Sequence, residues 1–328
     1  MARRKRGNPV HGWVVLNKPL DLNSTTAVSI IRRLFNAQKA GHAGTLDPLA
    51  TGILPIALGE ATKTVPFIMD SLKTYRFTVR WGNETNTDDL EGEVTSTSLK
   101  RPSCEEIKDI LQDFTGPILQ TPPAFSAIKI NGERAYDLAR AGKEVDLTPR
   151  PVTIERLEMI NSPNEEETEF QATCSKGTYI RVLGRDMGRE LGCLGHISIL
   201  HRTSTGPFNE EMSISLEKLK ELSHSALADQ ALPQTLDVCE PSLQKKSQAL
   251  APELRQHLHP IETALDDIPA LAISEAQAAQ LKLGQSILLT QKDIPITSGP
   301  AYTMQSEKAV AIGQVAKGTF KPKRVFNL

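Results

Sequence analysis

The chain has 328 residues, 39% of them hydrophobic and 23% charged, with a net charge of −1. That length suits two ordinary domains or one large one with an appendage, and the composition is that of a folded globular protein. The near-neutral balance excludes any argument for a polyanion partner from net charge alone.

The chain opens with a basic arm, Arg3, Arg4, Lys5 and Arg6, within residues 1–11. Residues 12–16 (GWVVL) read as a short buried strand. Ser24 can cap a helix with Val28, Ile31, Leu34 and Phe35 on one face. Residues 41–59 read as a glycine- and proline-punctuated loop running into apolar Ile53–Leu58. From Tyr75 to Trp81 the chain alternates, Tyr75, Phe77, Val79 and Trp81 against Arg76, Thr78 and Arg80, which predicts a half-buried strand. Ser103 and Glu106 form a capping box ahead of Ile107, Ile110, Leu111 and Phe114, with Gly116 as the stop. Val152–Ile160 and Glu169–Cys174 are further strands, and Ile180, Leu183, Met187 and Leu191 mark a helix ended by Gly192. Residues 223–260, rich in Ala, Leu, Gln and Pro, read as an inserted linker. Residues 261–328 show short strands around Gly284, Gly313 and Gly318, a small β-rich domain. Strands and helices mix without regular βα alternation, so the expected class is α+β.

Charge is segregated along the chain. After Glu307 come Lys308, Lys317, Lys321, Lys323 and Arg324 with no acid, while acids pool in Glu84–Glu93 and Glu165–Glu169. This permits a basic face for nucleic acid, and equally a solubilising arm and tail. The four cysteines, Cys104, Cys174, Cys193 and Cys239, form no CxxC pair and suggest neither a zinc site nor a disulfide framework. No apolar run approaches the roughly 20 residues of a membrane span, and no apolar stretch follows the basic start. A cytoplasmic protein is expected.

Motifs remove several chemistries. There is no GxxxxGK[ST], no GxGxxG after a strand, no HxE with PCxxC, no HExxH and no GxSxG. What remains is the loop GHAGTLDPLATG, Gly41–Gly52. Its glycines Gly41, Gly44 and Gly52 let backbone pass close to a bulky partner, and His42 can stack and hydrogen bond. Pro48 holds Asp47 extended, so that its carboxylate projects; Asp-Pro is also a common turn dipeptide, and composition alone does not separate the two. A second stretch, CSKGTYIRVLGRD (Cys174–Asp186), places Lys176, Arg181 and Arg185, with Arg189 beyond, near a strand-to-helix junction. Arg181 suits bidentate contact with a carboxylate or phosphate, and the same cations would equally serve a solvated helix face.

GWVVLNKP, AGHAGTLDPLATGILPIALGEATK, YRFTVRWG, TPPAFSAIK, GERAYDLARAG, CSKGTYIR and RTSTGPF occur in this order. Together they resemble the bacterial tRNA pseudouridine-55 synthases of the TruB type, from about residue 12 to 222 and again from about 261. The C-terminal AIGQVAKGTFKPKRVF is similar to that family's small PUA-like RNA-binding domain. A glycine usual in the family shortly after Lys-Pro is missing here, where Lys18-Pro19 is followed by Leu20 and Asp21. Aspartate tolerates positive φ better than most residues, so the turn is expected to survive.

The resemblance implies a pseudouridine synthase core, a mixed sheet flanked by helices, over 12–222, and isomerisation of the T-arm uridine of tRNA without a cofactor or metal. It implies Asp47 as the catalytic carboxylate, Arg181 as the guanidinium that keeps it ionised, and Tyr75 as a ring against the flipped uracil and a base at C5. It further implies His42 in the space the base vacates, Leu200 against the base, and Lys18, Lys63 and Arg202 on phosphates. A monomer that needs no protein partner is expected. Two rival readings follow from the same residues: the same chemistry on another RNA, and a non-catalytic chaperone that folds tRNA on this surface.

Overall fold

The computed structural model describes residues 7–123, 125, 129–130, 133–134, 147–225, 252–289 and 298–328. The basic arm, residues 226–251 of the expected linker and parts of the motifs around 124–142 lie outside the described residues.

β1 (Gly12–Lys18) extends the predicted strand by two residues. The turn after it places Asp21 at φ +59°, the left-handed region that aspartate tolerates. α1 (Ser24–Leu34) is capped by Asn23, whose side chain accepts from the Thr26 N–H at 2.8 Å. Ser24 is therefore not the cap; it is buried, and its hydroxyl is engaged by the Leu46 backbone. β2 (Ala40–His42) and β3 (Ala50–Leu58) pair antiparallel, so the loop expected over 41–59 shrinks to 43–49. α2 (Val65–Asp70) leads into β4 (Lys73–Trp81), with Phe77, Val79 and Trp81 buried as the alternation predicts.

β5 (Asn83–Thr85) and β6 (Val94–Thr97) form a hairpin whose loop carries Asp88 and Asp89. α3 (Cys104–Ile110) has the expected capping box. It ends before Gly116, which instead opens β7 (Gly116–Gln120) at φ +90°. A short pair, β8 (Lys129–Ile130) and β9 (Glu133–Arg134), precedes the long hairpin of β10 (Arg150–Asn164) and β11 (Glu167–Cys174). α4 (Ile180–Glu190) buries Ile180, Leu183 and Met187, and Gly192 follows at φ +64°. β12 (Gly195–Thr205), β13 (Phe208–Asn209), β14 (Ile214–Ser215), α5 (Leu216–Ser225) and α6 (Pro252–Arg255) complete this part.

The main sheet has the order β14-β1-β3-β12-β4-β11-β10-β7, with β2 on β3 and β13 on β12. β1–β14 and β3–β12 run parallel and the other pairs antiparallel, so the sheet is mixed, as the α+β expectation requires. From Trp13 to Leu16 β1 is continuously apolar because both its faces are covered. Val14 and Leu16 join Ile31, Phe77, Phe170 and Leu183 on one side. Trp13 and Val15 join Ile53, Ala57, Phe208 and residues of the C-terminal part on the other.

That C-terminal part is a second, five-stranded sheet, ordered β15-β17-β18-β19-β16. It comprises β15 (Ala270–Ala272), α7 (Glu275–Lys282), β16 (Ile287–Leu288), β17 (Ser298–Gln305), β18 (Lys308–Ala316) and β19 (Thr319–Val325). Tyr302, Ile312 and Phe326 pack against the back of the main sheet. Residues 252–260 do not behave as a linker. Leu254 sits in the main core, and His259 and Trp13 exchange backbone hydrogen bonds of 2.8 Å. Among the described residues no helix is long and apolar enough to cross a membrane.

Candidate active site

The loop between β2 and β3 carries Asp47, and the parallel pairing of β3 with β12 sets Ala50 opposite Leu200 and Gly52 opposite Arg202. α4 enters from the side and brings Arg181 to the loop. Its Nε lies 2.9 Å from Asp47 Oδ2. The two partners are unequally placed: the Arg181 side chain is 7% exposed and that of Asp47 40%. The guanidinium is thus part of the wall, and the carboxylate opens onto a pocket. Leu49, Ala50, Ile197 and Leu200 supply its apolar lining, with Asp89 beside Arg181.

Arg181 is fixed on its other donors too. Nη1 donates to the Thr87 carbonyl at 2.8 Å and lies 3.5 Å from Asp89 Oδ2, and Nη2 donates to the Phe125 carbonyl at 3.1 Å. A planar fork held on several sides cannot turn away from Asp47. Asp89 escaped the sequence reading because it lies in an acid-rich stretch with the look of a solvated surface. Its carboxylate is in fact buried, and accepts from the Thr87 hydroxyl at 2.5 Å and the Glu91 N–H at 3.0 Å. Next to it, Asp88 pairs with Arg185 at 3.2 Å, and burial pushes its carboxyl up to about 6 against the pull of Arg185.

Tyr75 is half-buried on β4, in register with Arg202 of β12. Burial raises its hydroxyl pKa, and the positive charge of the Arg202 guanidinium opposes the rise without overcoming it, so the phenol is protonated at neutral pH. His42 ends β2. Burial lowers its pKa and the Arg202 guanidinium adds to the effect. The imidazole is therefore neutral, and its buried Nδ1 has no hydrogen-bond partner among the described residues.

The three cations expected on phosphates are otherwise employed. Lys18 is fully buried and donates to the carbonyls of Pro19, Leu22 and Pro48 at 2.9, 2.7 and 3.2 Å. Burial pushes its pKa down to about 8, against the attraction of Asp47 and Asp21. Arg202 is 1% exposed and donates to the carbonyls of Ile53, Thr45 and Gly44 at 2.7, 3.3 and 3.2 Å. Lys63 is held by Glu60 at 2.5 Å and by the Val325 carbonyl at 2.7 Å, which ties the two sheets together. In one dimension a cation that grips backbone looks the same as one that grips RNA. The bulky partner expected of the loop glycines is also internal. A Cβ on Gly52, at φ +97°, would stand 2.3 Å from the Arg202 carbonyl oxygen. On Gly44 it would meet Arg202 Nη1 at 3.5 Å, and on Gly41 it would meet open space.

Residues 32–180 match the family described as "TruB family pseudouridylate synthase (N terminal domain)", and residues 181–266 match "tRNA pseudouridylate synthase B C-terminal domain". A curated relative from Brucella ovis, named tRNA pseudouridine synthase B, is 52% identical over 332 residues, 99% of both chains. Another of the same name, from Bradyrhizobium diazoefficiens, is 51% identical over 334 residues, 100% of this chain and 91% of the relative. Among solved structures, one described as "Structure of H/ACA RNP bound to a substrate RNA containing 2'-deoxyuridine" aligns with a TM-score of 0.70 at 21% identity, covering 100% of this chain and 92% of that one. A chain of "Crystal Structure of a Cbf5-Nop10-Gar1 Complex" aligns with a TM-score of 0.69 at 24% identity, over 96% and 85% of the two chains. These two share the fold. The sequence match over essentially the whole length carries the further conclusion that the chain belongs to the TruB family of pseudouridylate synthases.

Proposed function

We propose that this chain isomerises the uridine at position 55, in the T-arm loop of tRNA, to pseudouridine, with Asp47 as the reacting carboxylate. The observation that carries the reading is the Asp47–Arg181 pair, 2.9 Å apart at the mouth of a pocket with apolar walls. The reaction breaks the N1–C1′ bond, turns the uracil and joins C5 to C1′, with the C5 proton leaving. It needs a carboxylate near C1′ and a wall that retains the detached base. Asp47 supplies the first, as nucleophile at C1′ or as base at C2′. Leu200 and Ile197 supply the second, and Tyr75 offers its ring to the uracil. The Tyr75 hydroxyl is protonated in the free chain, so it receives the C5 proton only after giving up its own.

A uridine in a folded loop is beyond reach of these groups until it is flipped, at a cost of a few kcal/mol. His42, neutral and half-buried, takes the vacated space. Phosphates are held by the exposed cations of β18 and β19 and the turn between them, Lys308, Lys317, Lys321, Lys323 and Arg324. The curated relatives named tRNA pseudouridine synthase B match over 91–99% of their own length, which favours tRNA as the substrate. The test is tritium release from 5-tritiated uridine in unmodified tRNA, with product mapped by mass. Asp47→Asn keeps size and removes charge. It is expected to fold, to bind tRNA at least as tightly as the parent, and to release no tritium above background. An Asp47→Asn protein that makes pseudouridine at a rate near that of the parent overturns the assignment. Unaltered tRNA folding activity with no tritium release from either protein points to the chaperone reading instead.

A further inference from the structure

We propose that Ser24 is a positioning residue for Asp47, holding the catalytic loop by the backbone of Leu46; this rests on the reading of Asp47 as the reacting carboxylate. Its hydroxyl both donates to the Leu46 carbonyl and accepts from the Leu46 N–H, each at 2.9 Å. Ser24 is 2% exposed, so no water competes for the hydroxyl. One donor and one acceptor are spent on the two peptide groups of a single residue, the one before Asp47. That residue's backbone is thereby fixed on both sides of its Cα, and the direction in which the chain enters Asp47 is fixed with it.

The surrounding bonds show that the loop is held as a unit. The Gly44 and Thr45 carbonyls accept from Arg202. The Asp47 carbonyl accepts from the Ala50 N–H at 3.1 Å, and that of Pro48 accepts from Lys18 and from the Asp21 N–H at 3.0 Å. With Ser24 on Leu46, every carbonyl from Gly44 to Pro48 has a donor. Arg202 and Lys18 hold the ends of this stretch and Ser24 holds its centre, at the residue that precedes Asp47. A seven-residue loop carrying a reactive group needs such support, because a site about 1 Å loose loses much of its rate.

The residue's place on α1 makes the role separable from helix stability. Asn23 caps the helix, not Ser24, so removing the Ser24 hydroxyl leaves the cap intact. The experiment compares Ser24→Ala, Ser24→Cys, Asn23→Ala and Asp47→Asn in the full chain, with thermal midpoint, tRNA affinity and single-turnover rate per folded molecule measured on each. Ser24→Ala and Ser24→Cys, the latter with similar volume but only a weak donor, are expected to lose about 10- to 100-fold in single-turnover rate. Their tRNA affinity should stay within about twofold of the parent, since phosphate contacts dominate it. Asn23→Ala should lower the thermal midpoint and leave the rate unchanged. A parent-like rate in either Ser24 variant overturns the proposal, as does an equal loss of rate in Asn23→Ala. An inactive Asp47→Asn beside fully active Ser24 variants refutes the Ser24 role alone, whereas an active Asp47→Asn refutes the reading on which it rests.

Discussion

Replacing Arg181 by lysine keeps a positive charge beside Asp47 and removes the fork. The guanidinium makes four contacts in different directions: Asp47 at 2.9 Å, the Thr87 carbonyl at 2.8 Å, the Phe125 carbonyl at 3.1 Å and Asp89 at 3.5 Å. An ammonium on a flexible stem is a point, and if it stays with Asp47 it leaves Thr87 and Phe125 each short of a donor. Two lost bonds near a buried carboxylate amount to about 2–3 kcal/mol. At about 2–4 °C per kcal/mol for a domain of this size, the thermal midpoint should fall by about 4–12 °C. The larger effect is on aim. A carboxylate displaced by about 1 Å should lower the single-turnover rate per folded molecule about 100-fold. Some activity should remain, because the charge beside Asp47 is preserved. The assay is tritium release under single turnover, well below the midpoint, with the folded fraction measured on the same sample. A rate within threefold of the parent would show that the fork does not aim Asp47, and the argument from its four contacts would fail.

Lys18→Met tests the buried ammonium through pH. Its pKa is pushed down to about 8, so folding releases a proton between about pH 8 and the unfolded value near 10.5. The unfolded chain binds more protons in that window, so the parent's stability from this group rises with pH and the methionine variant's does not. The unfolding free energy of the parent minus that of Lys18→Met should rise by about 1–2 kcal/mol from pH 8 to 9.5 in denaturant titrations, whichever protein is the more stable at pH 8; a constant or falling difference refutes the shift. Gly52→Ala should destabilise by about 3 kcal/mol, from a residue at φ +97° whose Cβ collides with the Arg202 carbonyl across the β3–β12 pair. A urea midpoint like the parent's would show that the two strands part without cost.

The parts legible in the sequence were those with one period and one buried face. β4 announces itself by alternation, α4 by its apolar stripe and terminal Gly192, and α3 by a capping box that the structure contains. β3 was hidden by Gly52 and by Pro55, which faces Val15 in the middle of the sheet, where proline is rare. Asn23 and Ser24 are equally good caps on propensity, and only the three-dimensional claim of Leu46 on the Ser24 hydroxyl decides between them. In the site, the resemblance set Arg181 against Asp47 and Leu200 at the pocket, and the structure brings these residues together. The resemblance left out Asp89, and it set on phosphates Lys18 and Arg202, which are buried against backbone carbonyls. Both errors have one origin: charge along a chain carries no sign of whether it ends in solvent or against a carbonyl.

The pairing of β3 with β12 joins residues 150 positions apart, as Thr51 and His201 are. β12 also lies between β3 and β4, so it inserts into a sheet whose neighbouring strands precede it in the chain. Closing so long a segment costs about 4 kcal/mol of chain entropy before any contact offsets it, which makes this a late event in folding. Arg202 arrives with that strand, and without it the Gly44 and Thr45 carbonyls have lost the donors that hold them. On a ribosome adding about 5–20 residues per second, Asp47 is made roughly 8–30 seconds before the strand that completes its loop. A nascent or truncated chain therefore carries the carboxylate without the frame that aims it, and activity becomes a report on the last long-range closure of the fold.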